Sequence, residues 1–82
     1  MASELILYST DHCSLCEAAL DVLLSMPELL GGSVRVVDVA QEDGLMERYG
    51  SRLPVLTIGG RDGLRELDWP FEARDVLAAL SA

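Results

Sequence analysis

Apolar positions along this chain follow two spacings, and the switches between them mark out its elements. Residues 4–9 carry a continuous apolar run, Leu5-Ile6-Leu7-Tyr8, of strand length. A polar break follows, Ser9-Thr10-Asp11-His12. From Ser14 to Met26 the spacing becomes three and four, so that Leu15, Ala19, Val22, Leu23 and Met26 share one face of a predicted helix. Pro27 is the expected stop, and Gly31-Gly32 the next turn.

Residues 33–39, Ser33-Val34-Arg35-Val36-Val37-Asp38-Val39, predict a second strand. Its valines fall on both parities, which predicts burial on both faces, as in a parallel sheet. Strand, helix, strand makes a βαβ unit with a right-handed crossover. Residues 41–49 predict a short helix carrying Leu45, Met46 and Tyr49, ended by Gly50. Gly44 weakens it by about 1 kcal/mol relative to Ala. Residues 55–58 predict a third strand, Gly59, Gly60 and Asp62-Gly63 a hairpin turn, and residues 64–67 a fourth strand. A last helix is expected over 70–80, with Asp68 as cap, Pro70 in its first turn, and Ala73, Val76, Leu77 and Leu80 inward. Met26 and Met46 are expected in the core. The order is βαβαββα, an α/β arrangement in one domain over residues 1–82, without repeats or linkers.

With 82 residues, half of them hydrophobic, the chain can bury one core but not two. No apolar run approaches the roughly 18 residues of a membrane span. Met1-Ala2-Ser3-Glu4 is not the basic start of a signal peptide, so the expected compartment is cytoplasmic. Fourteen acidic residues face six basic ones, all Arg, for a net charge of -8. Such a surface repels phosphate backbones and makes nucleic acid a poor partner. It also predicts weaker binding of small anions than a basic surface would give.

Against this background the two cysteines, Cys13 and Cys16, stand out. A reducing compartment disfavours a structural disulfide, so a local pair points to redox or metal chemistry. A structural zinc needs four ligands, and two Cys with the adjacent His12 fall short; no metal site is expected. The pair lies where the first strand gives way to the first helix. There, free backbone N–H groups and the positive end of the dipole favour a thiolate. Residues three apart on a starting helix bring their Cβ atoms within about 5 to 6 Å, close to disulfide range. Cys13, nearer the terminus, is the expected attacker; Cys16, one turn in, is the expected resolving thiol. Lowering a thiol pKa from about 8.5 to about 6.5 takes roughly 2.7 kcal/mol. A helix end gives about 0.3 to 1 kcal/mol, and up to about 2 when partly buried. Asp11 and Glu17 oppose the shift, so only a moderate depression is expected at Cys13. The four-residue loop contributes only about 2 kcal/mol to stability, which leaves the bond labile.

Cys13-Ser14-Leu15-Cys16 after the first strand, together with Leu53-Pro54-Val55 opening the third, resembles the glutaredoxin branch of the thioredoxin superfamily over essentially the whole chain. Arg65-Glu66-Leu67-Asp68-Trp69-Pro70-Phe71 is similar to a family of small bacterial glutaredoxin-like proteins. The resemblance implies a thioredoxin-like fold: a four-stranded mixed sheet with helices on both faces. It implies a thiol–disulfide oxidoreductase with catalytic Cys13 and Cys16, acting on disulfide-containing proteins or small molecules as a monomer. It also implies a cis Pro54 facing the dithiol, with the Leu53 backbone free to pair with an extended substrate.

Several positions depart from the glutaredoxin pattern. Ser14 stands where Pro usually follows the first Cys, and Asp11-His12 where a basic residue is common. Leu67-Asp68-Trp69-Pro70 replaces the Gly-Gly-acid stretch that grips glutathione, and Gly59-Gly60 lies too early to substitute for it. Glutathione is therefore carried only as a candidate electron donor, with no bound cofactor expected. Four further residues have two readings each. His12 tunes Cys13 or is merely solvated; Arg52 binds a substrate carboxylate or is solvated. Trp69 walls the site or packs the last helix, and Tyr8 divides the same way. The alternative to an enzyme is a redox-inactive or redox-sensing protein-binding module on the same fold.

Overall fold

In the computed structural model, residues 4–27, 34–60 and 63–81 are described. Four strands, β1 (Glu4–Ser9), β2 (Val34–Asp38), β3 (Val55–Gly60) and β4 (Gly63–Asp68), form one sheet in the order β2-β1-β3-β4. Strand β1 runs parallel to β2 and antiparallel to β3, and β4 is antiparallel to β3. Three helices complete the chain: α1 (Ser14–Leu24), α2 (Asp43–Tyr49) and α3 (Ala73–Ser81).

Side chains alternate across a strand, so the sheet divides its apolar residues between two faces. Leu5 and Leu7 of β1 and Leu56 and Ile58 of β3 lie on one face. They pack against Ala19 and Leu23 of α1 and Val76 of α3, with Met26 and Phe71, in the main core. On the opposite face Val55 joins Val39 and Tyr49 in a smaller cluster, which Tyr8, Leu45 and Leu53 cover. Helices therefore flank both faces, as the thioredoxin-like expectation requires.

Local departures from the sequence-based expectations have physical causes. Strand β2 is a sheet edge, and its Val36 is 52% exposed; valine on both parities did not signal two-sided burial here. Leu15 is 53% exposed despite its helical spacing, because it sits in the first turn of α1, short of the packed face. Met46 is also exposed, whereas Met26 is buried. Helix α1 stops at Leu24, ahead of Pro27, where the Ser25 N–H donates to Asp21 O and its hydroxyl to Val22 O. The helix expected from residue 41 is a short 3-10 turn, Val39–Gln41, followed by α2. The Asp38 carboxylate caps that turn by accepting from the Ala40 N–H at 2.9 Å.

The last helix begins three residues later than expected. Asp68 ends β4 opposite Val55 and pairs with Arg52, so it is not a helix cap. Instead the Glu72 N–H donates to Asp75 Oδ2 at 2.8 Å at the start of α3, and Pro70 lies outside the helix. Gly59 and Gly60 belong to β3, facing Leu64 and Gly63. The turn assigned to Gly31-Gly32, and Asp62 of the hairpin, lie outside the described residues.

Candidate functional site

Cys13 is the N-cap of α1, with extended dihedrals of φ -112° and ψ 100°. An N-cap must accept from the free N–H groups of the first turn. Cys13 does so with sulfur: its Sγ accepts from the Cys16 N–H at 3.1 Å. Its carbonyl accepts from the Glu17 N–H at 3.1 Å, the first bond of the helix. The same N–H that caps the helix thus points at the sulfur expected to carry charge.

Cys13 and Cys16 are joined as a disulfide with their Cα atoms 5.2 Å apart, inside the normal range for such a bond. Cys13 is half-buried, whereas Cys16 is buried in the first turn of the helix. Cys13, at the helix terminus, is thus the more accessible residue of the pair. His12 immediately before the motif is exposed and holds a positive φ of 57°. Residues with a Cβ rarely adopt this conformation, though His is among the more tolerant. It turns the chain from the end of β1 into the helix start.

A cleft of about 300 Å³ opens beside the disulfide. Cys13 and Cys16 line it together with the polar break, Ser9 to His12, and Glu17. Leu7, Leu20 and Val36 supply its apolar wall. Sequence reasoning noted Asp11, His12 and Glu17 but missed Leu7 and Val36. These two face one another across the β1–β2 register, and a register is not written in either strand alone.

The register also locates the proline loop. Val37, Tyr8, Val55 and Asp68 form one row across the sheet. Ser9 follows Tyr8, Trp69 follows Asp68, and Pro54 precedes Val55 on the antiparallel β3, so all three lie at the end of the sheet where β1 runs out toward the thiols. The Leu53-Pro54 peptide is cis and Pro54 is buried. The Leu53 side chain packs on the smaller core. Arg52 is held by its own protein: Nη2 donates to Glu66 Oε1 at 2.9 Å and to Asp68 Oδ1 at 2.8 Å. Its charge is balanced by these two carboxylates, and its backbone N–H donates to Tyr49 O. It ties the loop before β3 to β4.

Trp69 is half-buried against the main core and meets the Phe71 ring edge-on, with centroids 5.1 Å apart. The packing reading describes it. Tyr8 stacks on Tyr49 at 4.3 Å, on the face opposite the main core. Among the described residues no three His, Cys, Asp or Glu side chains converge on a possible metal position, and no helix is long and apolar enough to cross a membrane.

Residues 4–81 match the model of the glutaredoxin-like domain (DUF836). The chain belongs to that family. A structural-genomics target protein from X. campestris, XcR50, is 38% identical over 94% of this chain and 95% of its own, with a TM-score of 0.73. Protein Ne2328 from Nitrosomonas europaea shares the fold at 22% identity and a TM-score of 0.77, over 98% of this chain and 93% of its own. Thioredoxin 1 from Thermosipho africanus does so at 16% identity and a TM-score of 0.70, over 95% and 90%. No curated protein matches the sequence. The glutaredoxin-like assignment and the thioredoxin-like α/β fold are thus established. A Cys13–Cys16 pair at bonding distance on this fold is compatible with redox function.

Proposed function

We propose that this protein is a thiol–disulfide oxidoreductase in which Cys13 attacks and Cys16 resolves. One observation carries the proposal: the two sulfurs bond at the N-terminus of α1, with Cys13 the more open and the Cys16 N–H directed at its sulfur. In the reduced protein, the Cys13 thiolate attacks one sulfur of a substrate disulfide. A mixed disulfide forms and the first substrate thiolate leaves. Cys16 then loses its proton and attacks the Cys13 sulfur, which closes the protein disulfide and releases the second thiolate. Two electrons pass from protein to substrate, and the two released thiolates take up protons from solvent. A thiol or dithiol reductant returns the protein to its starting state by the same exchange in reverse. The end of the sheet bearing Leu53-Pro54 is proposed to dock the substrate backbone, with His12 beside the attacking sulfur. The protein is proposed to act as a cytoplasmic monomer.

The test is trapping. Cys16→Ser should accumulate mixed disulfides at Cys13 when mixed with disulfide substrates, seen by mass spectrometry and reversed by a reductant. Cys13→Ser should trap little. Equal trapping by both variants would remove the assigned roles. Failure of either thiol to exchange would favour the binding-module alternative, whose partners would persist when both cysteines are replaced.

A further inference from the structure

The cleft beside the disulfide carries two carboxylates, Asp11 and Glu17, both on exposed residues. Neither forms a salt bridge among the described residues. The ion pairs found there use Arg35 with Glu4, Arg52 with Glu66 and Asp68, and Arg74 with Glu72. Among the described residues no arginine lines the cleft, and His12 is the only basic residue type there. The whole chain carries a net charge of -8, so the long-range field has the same sign as the local one. The same cleft is lined by Leu7, Leu20 and Val36, the last on a sheet edge. A volume of about 300 Å³ is at the small end of ligand pockets and suits a side chain or two.

We propose that the substrate disulfide lies in a basic peptide segment: Asp11 and Glu17 select Lys or Arg beside the reacting cysteine, and Leu20 and Val36 receive an apolar neighbour. The inference rests on the oxidoreductase assignment above and names its substrate class. Complementary charge at a rim acts mainly on the association rate and weakens as salt screens it. The apolar wall gives the occupant a contact that salt does not screen. Small anionic disulfides such as oxidised glutathione meet repulsion from the same carboxylates and are disfavoured substrates.

The test uses three synthetic peptide disulfides with one core sequence and flanks of Lys, Gln or Glu. Each is mixed with the reduced full-length protein in single turnover, beside a small uncharged dialkyl disulfide. Dividing each peptide rate by the rate for the uncharged compound cancels any change in Cys13 ionisation. The expected order is Lys over Gln over Glu, with about tenfold between the extremes at low ionic strength and a contraction at high ionic strength. Oxidised glutathione should fall with the Glu peptide. In the Asp11→Asn, Glu17→Gln double variant the normalised rates should converge. Equal rates for the three peptides, or preference for Glu, would overturn the charge selection while leaving the oxidoreductase assignment intact. No reaction with any disulfide, including the uncharged one, would overturn both.

Discussion

Arg52 and Asp68 are joined by two hydrogen bonds, from Nη2 at 2.8 Å and Nε at 3.2 Å to the same carboxylate oxygen. Arg52 immediately precedes Leu53-Pro54, and Asp68 ends β4, so the pair fastens the proline loop to the sheet's far edge. Glu66 and the ring of Tyr49, 5.8 Å from the guanidinium carbon, complete its surroundings. Arg52→Ala should therefore raise KM for disulfide substrates more than it lowers kcat, because the loop is loosened while the thiols are untouched. Arg52→Lys should recover only part of the effect, since a single ammonium cannot reproduce the planar fork. Steady-state kinetics of the two variants check this; equal losses in kcat and KM would place Arg52 outside loop positioning.

Acid stability should depend on the same cluster. The hydrogen bond from Arg52 holds the Glu66 carboxyl below its ordinary value of 4.5. A depressed folded pKa means that its contribution is complete above about 4.5 and is lost as pH falls through the folded value. Glu66→Gln should flatten the fall in denaturant midpoint below pH 4.5. At the other extreme, burial raises the Tyr49 phenol above 10.0. That contribution is complete below pH 10 and is lost as pH rises toward the folded value. Tyr49→Phe should lessen the alkaline loss. Denaturant titrations across pH test both signs.

Two glycines near α2 should respond in opposite directions to alanine. A Cβ at Gly50 would meet the Met46 carbonyl oxygen and sulfur. Gly50→Ala should therefore cost about 1 to 3 kcal/mol as the turn shifts to make room. Gly44 lies within α2 with open space around it. Gly44→Ala should stabilise by about 0.5 to 1 kcal/mol, since the helix then loses less backbone freedom on forming. Equilibrium unfolding of the two variants distinguishes steric from entropic control.

In the reduced protein, Cys13 should ionise moderately below the free-thiol value of about 8.5. The Cys16 N–H and the helix end favour the thiolate, whereas Asp11 and Glu17 oppose it. A pH titration of alkylation rate should show this, with a lower pKa in Asp11→Asn. An unshifted value in both would mean that the helix end contributes little to thiol reactivity.

The sequence by itself determined the element order and the identity of the thiol pair. Each follows from spacing within a short segment: a strand-length apolar run, a three-and-four repeat, and two cysteines one helical turn apart. Sequence could not decide which strand would be an edge, so Val36 was assigned to a buried sheet position and emerged beside the disulfide. Nor could it show that Arg52 would find Glu66 and Asp68, more than a dozen residues away, or that Asp68 would therefore not cap α3. Burial, register and ion pairing are properties of juxtaposed segments. They exist only once the chain has chosen its neighbours, and here that choice set the cleft beside the disulfide and the Arg52 clamp before the proline loop.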